Sequence, residues 1–385
     1  MLVSRYSHDT SGWIQLRKSA HSDCPLCPGI LLLHILVISL SIWSCRKQDD
    51  SSSFQSEKIR SFDGNTTSIR SLQFSKDGAC AISVSDNLYE GNDSLGETYC
   101  NLDDTSMRIC YWDVEKGRKI RELDAIPPFV ESASFAMNDR LIIGGDENGY
   151  ITVWDAESGS IVKKFVGHQG GVTCLGETPD GKLFSAGRDG AVRTWSLDIF
   201  LETGHIPAHK DMVCAVAVAG NGRVVTTGER YRRPCRVWSG IPGQCLATIQ
   251  GNATGEVAIS SDSGFIAFAS GRNTLVYRLN ADGSYSLWQK IPDVQSQEFF
   301  PNGKYLVVGG SVLEIWDIEQ RTRVWRLETF RFKKSLVGMI LQPGVTSLAV
   351  SNNGELLLVG FSNGVIDLYK RGHASSKKEE SQEKK

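Results

Sequence analysis

From residue 57 to residue 371 the chain is a succession of short runs in which apolar and polar residues alternate, broken by tight polar turns. Val172-Thr-Cys-Leu175 precedes one such turn, Lys182-Leu-Phe-Ser-Ala186 follows it, and Ala191-Val-Arg-Thr-Trp195 comes next. Ser160-Ile-Val-Lys-Lys-Phe165 in the preceding stretch supplies a fourth kind of run. A period of two places successive side chains on opposite faces of a strand, so these runs predict strands. The turns carry Asp-Gly or Asn-Gly at Lys76-Asp-Gly78, Pro179-Asp-Gly181, Gly220-Asn-Gly222, Pro301-Asn-Gly303 and Asn352-Asn-Gly354, with Asp262-Ser-Gly264 a variant. Such pairs supply the positive φ that a two-residue hairpin turn needs. One turn, at Asn138-Asp139, has no glycine.

The pattern is also periodic on a longer scale. An aromatic closes one run in every copy, at Trp112, Trp154, Trp195, Trp238, Tyr277, Trp316 and Tyr369, with spacings of 42, 41, 43, 39, 39 and 53. Each copy therefore predicts a four-stranded antiparallel unit, seven times over. This recurrence resembles the WD-repeat β-propeller family, over roughly four-fifths of the chain. The resemblance implies an all-β fold, a single seven-bladed β-propeller. The last copy ends after its third strand at Tyr369, and residues 57–63 (Glu-Lys-Ile-Arg-Ser-Phe-Asp) look like the outer strands Arg118-Lys-Ile-Arg-Glu-Leu-Asp and Ile161-Val-Lys-Lys-Phe165. An N-terminal strand is thus expected to complete the seventh blade and leave no open hairpin edge at the joint.

Copy three carries His168, Ser185, Asp189 and Trp195 at the family's hydrogen-bonding positions. By resemblance they form a buried network that holds one blade together. A serine, histidine and aspartate together also raise the question of a catalytic triad, but no nucleophile-elbow glycines surround Ser185. Copy four keeps His209 and Trp238 without the aspartate, and Asn148 and Asn363 stand where Asp189 stands in copy three.

The first residues differ. Gly29 to Trp43 is an apolar run of 15 residues interrupted by His34 and two serines, with Arg17 and Lys18 upstream. A spanning helix needs about 20 residues and a signal core about 7–15. Ile42-Trp43-Ser44-Cys45 and the polar, serine-rich stretch after it resemble a bacterial lipoprotein processing site. That implies lipid attachment at Cys45, export and a membrane tether; Trp43 departs from the pattern. The organisation expected is a targeting segment over 1–45 with its core at 29–43, a polar linker over 46–56, the propeller over 57–371 and a charged, disordered tail over 372–385. The alternative is an intracellular scaffold without an anchor.

Charge and cysteine content narrow the chemistry. Lys and Arg number 42 against 44 Asp and Glu, so binding through bulk charge is not implied and a nucleic-acid partner is not expected. Ten cysteines are scattered; Cys80, Cys174 and Cys214 sit in apolar runs and read as buried free thiols. Cys24 and Cys27 form one CxxC with no completing pair, so no metal site is expected, and nothing resembles a phosphate loop or a cofactor motif.

Three insertions stand out: the acidic Asp86–Ser106, the basic Glu229–Cys235 and Glu328–Pro343. All three fall between second and third strands or between successive copies, and so belong to one face of the ring. Function on rigid scaffolds concentrates in such loops. The expected activity is non-enzymatic: one or more proteins bind the loop-decorated face through Arg230, Arg232, Arg233, Phe330, Phe332 and Lys333. An enzyme reading would use the acids Asp86, Asp103 and Asp104, which have no complementary base nearby in the chain.

Overall fold

The computed structural model describes residues 55–62, 68–85, 89–92, 98–101, 108–123, 130–228, 234–253, 255–328, 334–335, 338–339 and 344–372. Every regular element among them is a β-strand. They form seven four-stranded antiparallel sheets and two small hairpins. Blade 3 is typical: Val172–Glu177, Leu183–Gly187, Val192–Ser196 and Leu201–Ile206 pair in chain order. The first strands of successive blades contact one another around the ring, and that of blade 7, Val345–Val350, meets that of blade 1, Ile69–Phe74, which closes it. The fold is a seven-bladed β-propeller.

Closure is by the N-terminal strand. Gln55–Phe62 pairs antiparallel with Ile366–Gly372 and is the fourth strand of blade 7. Lys58 and Ser61 both reach Asp367, at 2.8 Å and 2.7 Å. Phe62, 1% exposed, meets Trp112 of blade 1 edge to face with 5.7 Å between ring centroids.

The apolar interior is divided. Seven buried clusters are found among the described residues, and each lies between two neighbouring blades. Leu183 and Trp195 of blade 3 face Ile143 and Ile151 of blade 2, whereas Phe184 and Val192 on the opposite face of the same sheet meet Val216 and Trp238 of blade 4. The period of two thus feeds two cores from one blade, which is why both faces of the second strands are apolar. The second strands of blades 2, 3 and 6 are buried throughout.

Backbone details depart from the sequence expectation. The turns between first and second strands are three or four residues long, not two. In blade 1 the Gly78 amide donates to Ser75 O and the Ser75 amide to Cys80 O; in blade 3 the Gly181 amide donates to Thr178 O and the Thr178 amide to Lys182 O. A single left-handed residue follows a tight turn, so one positive φ suffices where a type I′ two-residue hairpin needs two. In the Asp262-Ser-Gly264 turn that residue is Ser263, with φ 63°, rather than the glycine. The blade 2 turn, without glycine, holds Met137, Asn138 and Asp139 all at positive φ. Asp139 is fixed there by accepting the Lys76 amide of blade 1 at 2.7 Å. Every outer strand also carries a β-bulge in its pairing with the third strand, opposite or beside the recurring aromatic.

The thiols differ from expectation too. Cys110 and Cys235 are the buried ones; Cys80, Cys174 and Cys214 are half-buried. Cys80, Cys110, Cys174, Cys214, Cys235 and Cys245 are all unbridged.

Candidate functional site

The structure brings His168, Ser185, Asp189 and Trp195 together within blade 3. His168 leads into the blade, Ser185 lies on its second strand, Asp189 in the turn that follows and Trp195 on the third strand. His168 Nδ1 stands 2.9 Å from Asp189 Oδ1, His168 Nε2 2.7 Å from Ser185 Oγ, and Trp195 Nε1 donates to Ser185 Oγ at 2.8 Å. A carboxylate only accepts, so Nδ1 carries the hydrogen between His168 and Asp189 and does not also accept from Arg193 Nη1, which stands 2.9 Å from it. The Ser185 hydroxyl accepts from the indole and has its own hydrogen for Nε2. Arg193 Nη1 donates to Asp189 Oδ2 at 2.8 Å. Burial alone would raise the Asp189 carboxyl, but the hydrogen bonds from His168, Arg193 and the Ala191 amide outweigh it and hold Asp189 far below the usual carboxylate range.

Ser185 is fully buried, and its oxygen is held by an indole on one side and an imidazole on the other. A nucleophile needs an approach path and an oxyanion site; this serine is packed as a bolt between strands. Because Asp189 is depressed, its contribution to stability is present above the unfolded value, about 4, and is lost as pH falls through that value toward the folded one. Asp189→Asn is therefore expected to destabilise the protein at neutral pH, with the gap to the wild type narrowing below about pH 4. Urea unfolding at a series of pH values reads this directly; a gap that widens in acid contradicts it.

The other blades solve the same problem with different residues. In blade 4 a threonine takes the serine's place: Thr226 Oγ1 stands 2.8 Å from His209 Nε2 and accepts Trp238 Nε1 at 3.0 Å. Burial, then the Arg236 charge, lowers His209 to about 4. In blade 1 Trp112 Nε1 donates to Ser83 Oγ. In blade 2 the matching position is Gly144, a Cβ there would press on the Trp154 ring, and the indole N–H is buried without a partner. In blade 6 Trp316 Nε1 turns to the buried Glu314 two residues earlier, which also takes Arg323. Asp367 holds the equivalent place in blade 7 and binds the closing strand. Asn148 and Asn363, matched by sequence to Asp189, serve their own turns: the Asn148 amide donates to Asp146, and Asn363 accepts the Val365 amide.

Sequence reasoning passed over the wall of the central channel. Each inner strand is paired on one side only and presents a bare backbone edge on the other, which must be satisfied. Side chains from neighbouring blades do this. Gln73 accepts the Phe135 amide at 2.8 Å, Ser132 accepts Leu175 at 3.3 Å, Glu177 accepts Met137 at 3.2 Å, and Glu256 accepts Gln297 at 3.2 Å. Glu298 accepts a backbone bond from Val350. Burial pushes Glu256 up to about 7 and Glu298 up to about 8, the latter helped by the Glu256 charge. On the side of the first turns, Gln73, Asp139, Glu177 and Glu298 line an open cavity of about 810 Å³. The available signal was a polar residue where the inner-strand alternation calls for none, as in Val294-Gln-Ser-Gln-Glu-Phe299.

The predicted binding residues Arg230, Arg232, Arg233, Phe330, Phe332 and Lys333 lie outside the described residues, as do Cys45, the run 29–43 and the acids Asp86, Asp103 and Asp104. What the structure does describe are the strand ends that carry the insertions. Strands two and three of blade 1 end at Ser85 and resume at Arg108; those of blade 4 end at Gly228 and resume at Cys235; blade 6 ends at Glu328 and blade 7 begins at Val345. In an antiparallel blade these breaks all fall on the face opposite the first turns. Two insertions contain small hairpins, Tyr89–Asn92 with Thr98–Asn101 and Lys334–Ser335 with Gly338–Met339, where the sequence reads as loop. Among the described residues no three metal-ligating side chains converge, and no helix is long and apolar enough to cross a membrane.

Comparison with known proteins agrees with this architecture. The family model "WD domain, G-beta repeat" matches residues 56–88 and 159–196. The second match runs from the outer strand of blade 2 through three strands of blade 3 and ends beside Trp195; the first begins with the closing strand. The sequence repeat is thus offset by one strand from the blade, and the chain carries WD repeats. Protein ROOT INITIATION DEFECTIVE 3 of Arabidopsis thaliana is 26% identical over 275 residues, covering 65% of this chain and 62% of that protein. U3 small nucleolar RNA-associated protein 15 homolog of Gallus gallus is 25% identical over 256 residues, covering 66% and 47%. Serine-threonine kinase receptor-associated protein of Gallus gallus is 26% identical over 176 residues, covering 45% and 46%. The chain spans less than two thirds of the length of each of these relatives.

Proposed function

We propose that this protein is a non-enzymatic interaction platform, a WD-repeat scaffold that binds one or more proteins through the face carrying the insertions. The observation that carries the reading is the placement of all three breaks in the repeat on one side of a closed, rigid ring. Two of the relatives are named for association with another molecule, which supports a role in assembly. Residues 57–371 act as the platform, and Arg230, Arg232, Arg233, Phe330, Phe332 and Lys333 meet the partner. The test is charge reversal at the three arginines, with capture of partners from the native source. Loss of specific partners with unchanged thermal unfolding is expected; an unchanged partner set would remove the basic loop from the site.

A second reading rests on the apolar run 29–43 followed by Ser44-Cys45. There the same platform is exported and tethered through a lipid on Cys45. The nucleolar name of one relative favours the form without an anchor. Mass spectrometry of the mature N-terminus, in the wild type and in Cys45→Ala, separates the two: a lipidated Cys45 at the N-terminus establishes the tether, and an intact leader excludes it.

A further inference from the structure

The outer strand of blade 2, Ile161–Val166, differs from the other six in the number of large aliphatic side chains it exposes. It forms the rim edge of its sheet, so one row of its backbone groups has no strand partner. Its residues are Ile-Val-Lys-Lys-Phe-Val, with no acid. Ile161, Val162 and Val166 are 45%, 49% and 61% exposed. The remaining outer strands each expose at most one large aliphatic side chain among the described residues. Those of blades 1, 6 and 7 are guarded by charges of both signs: Arg118-Lys-Ile-Arg-Glu-Leu123, Thr322-Arg-Val-Trp-Arg-Leu-Glu328 and Gln55-Ser-Glu-Lys-Ile-Arg-Ser-Phe62.

The apolar surface continues onto blade 3. Phe165 turns inward and packs on Trp195 and Phe200, with centroids 5.1 Å and 6.0 Å away. Phe200, at positive φ, is thereby pinned, and Ile199 and Leu201 on either side of it are turned outward, 63% and 60% exposed. Three of the exposed aliphatics thus lie on this edge strand, and two at the neighbouring turn of blade 3. Lone surface aliphatics need no explanation, but a group beside a bare edge is a template for strand addition.

We propose that this edge accepts a fifth strand from a partner protein: an extended segment in which valine or isoleucine alternates with aspartate or glutamate. Main-chain hydrogen bonds supply affinity in this mode and the alternating side chains supply selectivity. The charge is what chooses the occupant. Lys163 is exposed at the middle of the strand, and Lys164 beside it is steadied by Asp146 at 3.5 Å and by the Tyr150 ring at 4.7 Å. A second copy of this strand, paired antiparallel, would set lysine against lysine, whereas an alternating acidic strand brings its carboxylates to the face of Lys163 and its apolar side chains to the opposite face, where Val162 and Val166 lie. This rim surface is separate from the insertion-bearing face, so its test stands apart from the platform reading.

The experiment is fluorescence anisotropy of the full chain with a labelled peptide alternating valine and glutamate. One control peptide is N-methylated at alternate residues and another carries lysine for glutamate. Saturable binding, weakened at least roughly tenfold in both controls and in the Lys163→Glu and Val162→Lys/Val166→Lys variants, is the expected result. The substituted side chains are exposed, and unchanged circular dichroism and thermal unfolding confirm the fold. Absence of saturable binding, equal binding of the N-methylated peptide, indifference to the rim substitutions, or dimerisation of the chain through this edge would each overturn the proposal.

Discussion

Removing residues 55–62 from the chain is expected to cost more than half of its folding stability and to turn a closed ring into an aggregating species. The strand contributes little local structure of its own, but three things depend on it. Phe62 is buried between blades 7 and 1 against Trp112, and truncating a buried phenylalanine costs about 3–5 kcal/mol. Asp367, itself buried, loses both Lys58 and Ser61, bonds to a charged group worth roughly 1.5–3 kcal/mol. The ladder from Gln55 to Phe62 disappears and leaves Ile366–Gly372 as a bare edge. Against a total stability of about 5–15 kcal/mol for a folded domain, the deletion is close to lethal. Urea unfolding and size-exclusion chromatography of the truncated chain measure both effects. Phe62→Ala and Asp367→Asn apportion the loss between packing and polar contacts. A truncated protein with wild-type unfolding would show that blade 7 stands with three strands.

The second large effect is expected at Ser185. Ser185→Ala leaves Trp195 Nε1 and His168 Nε2 unpaired at a site sealed from water, at about 1–3 kcal/mol for each orphaned group. The combined loss is roughly 2–5 kcal/mol, less than additive if His168 turns wholly to Asp189. Ser185→Thr should restore most of it, because Thr226 already performs this task between His209 and Trp238. The comparison of the two variants by chemical denaturation isolates the hydroxyl from the volume change. Equal destabilisation would place the cost in packing rather than in the network.

What could be read in advance divides along physical lines. The aromatic at the end of each third strand recurs because the same inter-blade pocket recurs, so Trp112 to Tyr369 were enough to count the blades. The closing strand was legible because residues 57–63 repeat the composition of other outer strands. The turn length was not, since Asp-Gly serves several turn types and the choice is made by pairing around it. The bulges opposite the aromatics were invisible for the same reason: register belongs to two strands at once. The polar lock could be seen in blade 3, where it uses the family's residues, and was missed where Glu314 and Asp367 replace them from two positions earlier on the third strand. Gln73, Glu177, Glu256 and Glu298 looked like ordinary surface residues, because only the closed ring shows which edge they cap.

The pairing of Gln55 with Gly372 has a practical reach. The first and last residues of the ring stand side by side at the rim of one blade, where third strands end and fourth strands begin, on the same side as the Asp-Gly turns. An affinity handle, a fluorescent label or a surface linkage joined at either of these positions therefore anchors the ring by the side away from the insertions. A sensor chip loaded in this way offers every molecule in the same orientation, with the strand ends that carry the insertions facing the flow.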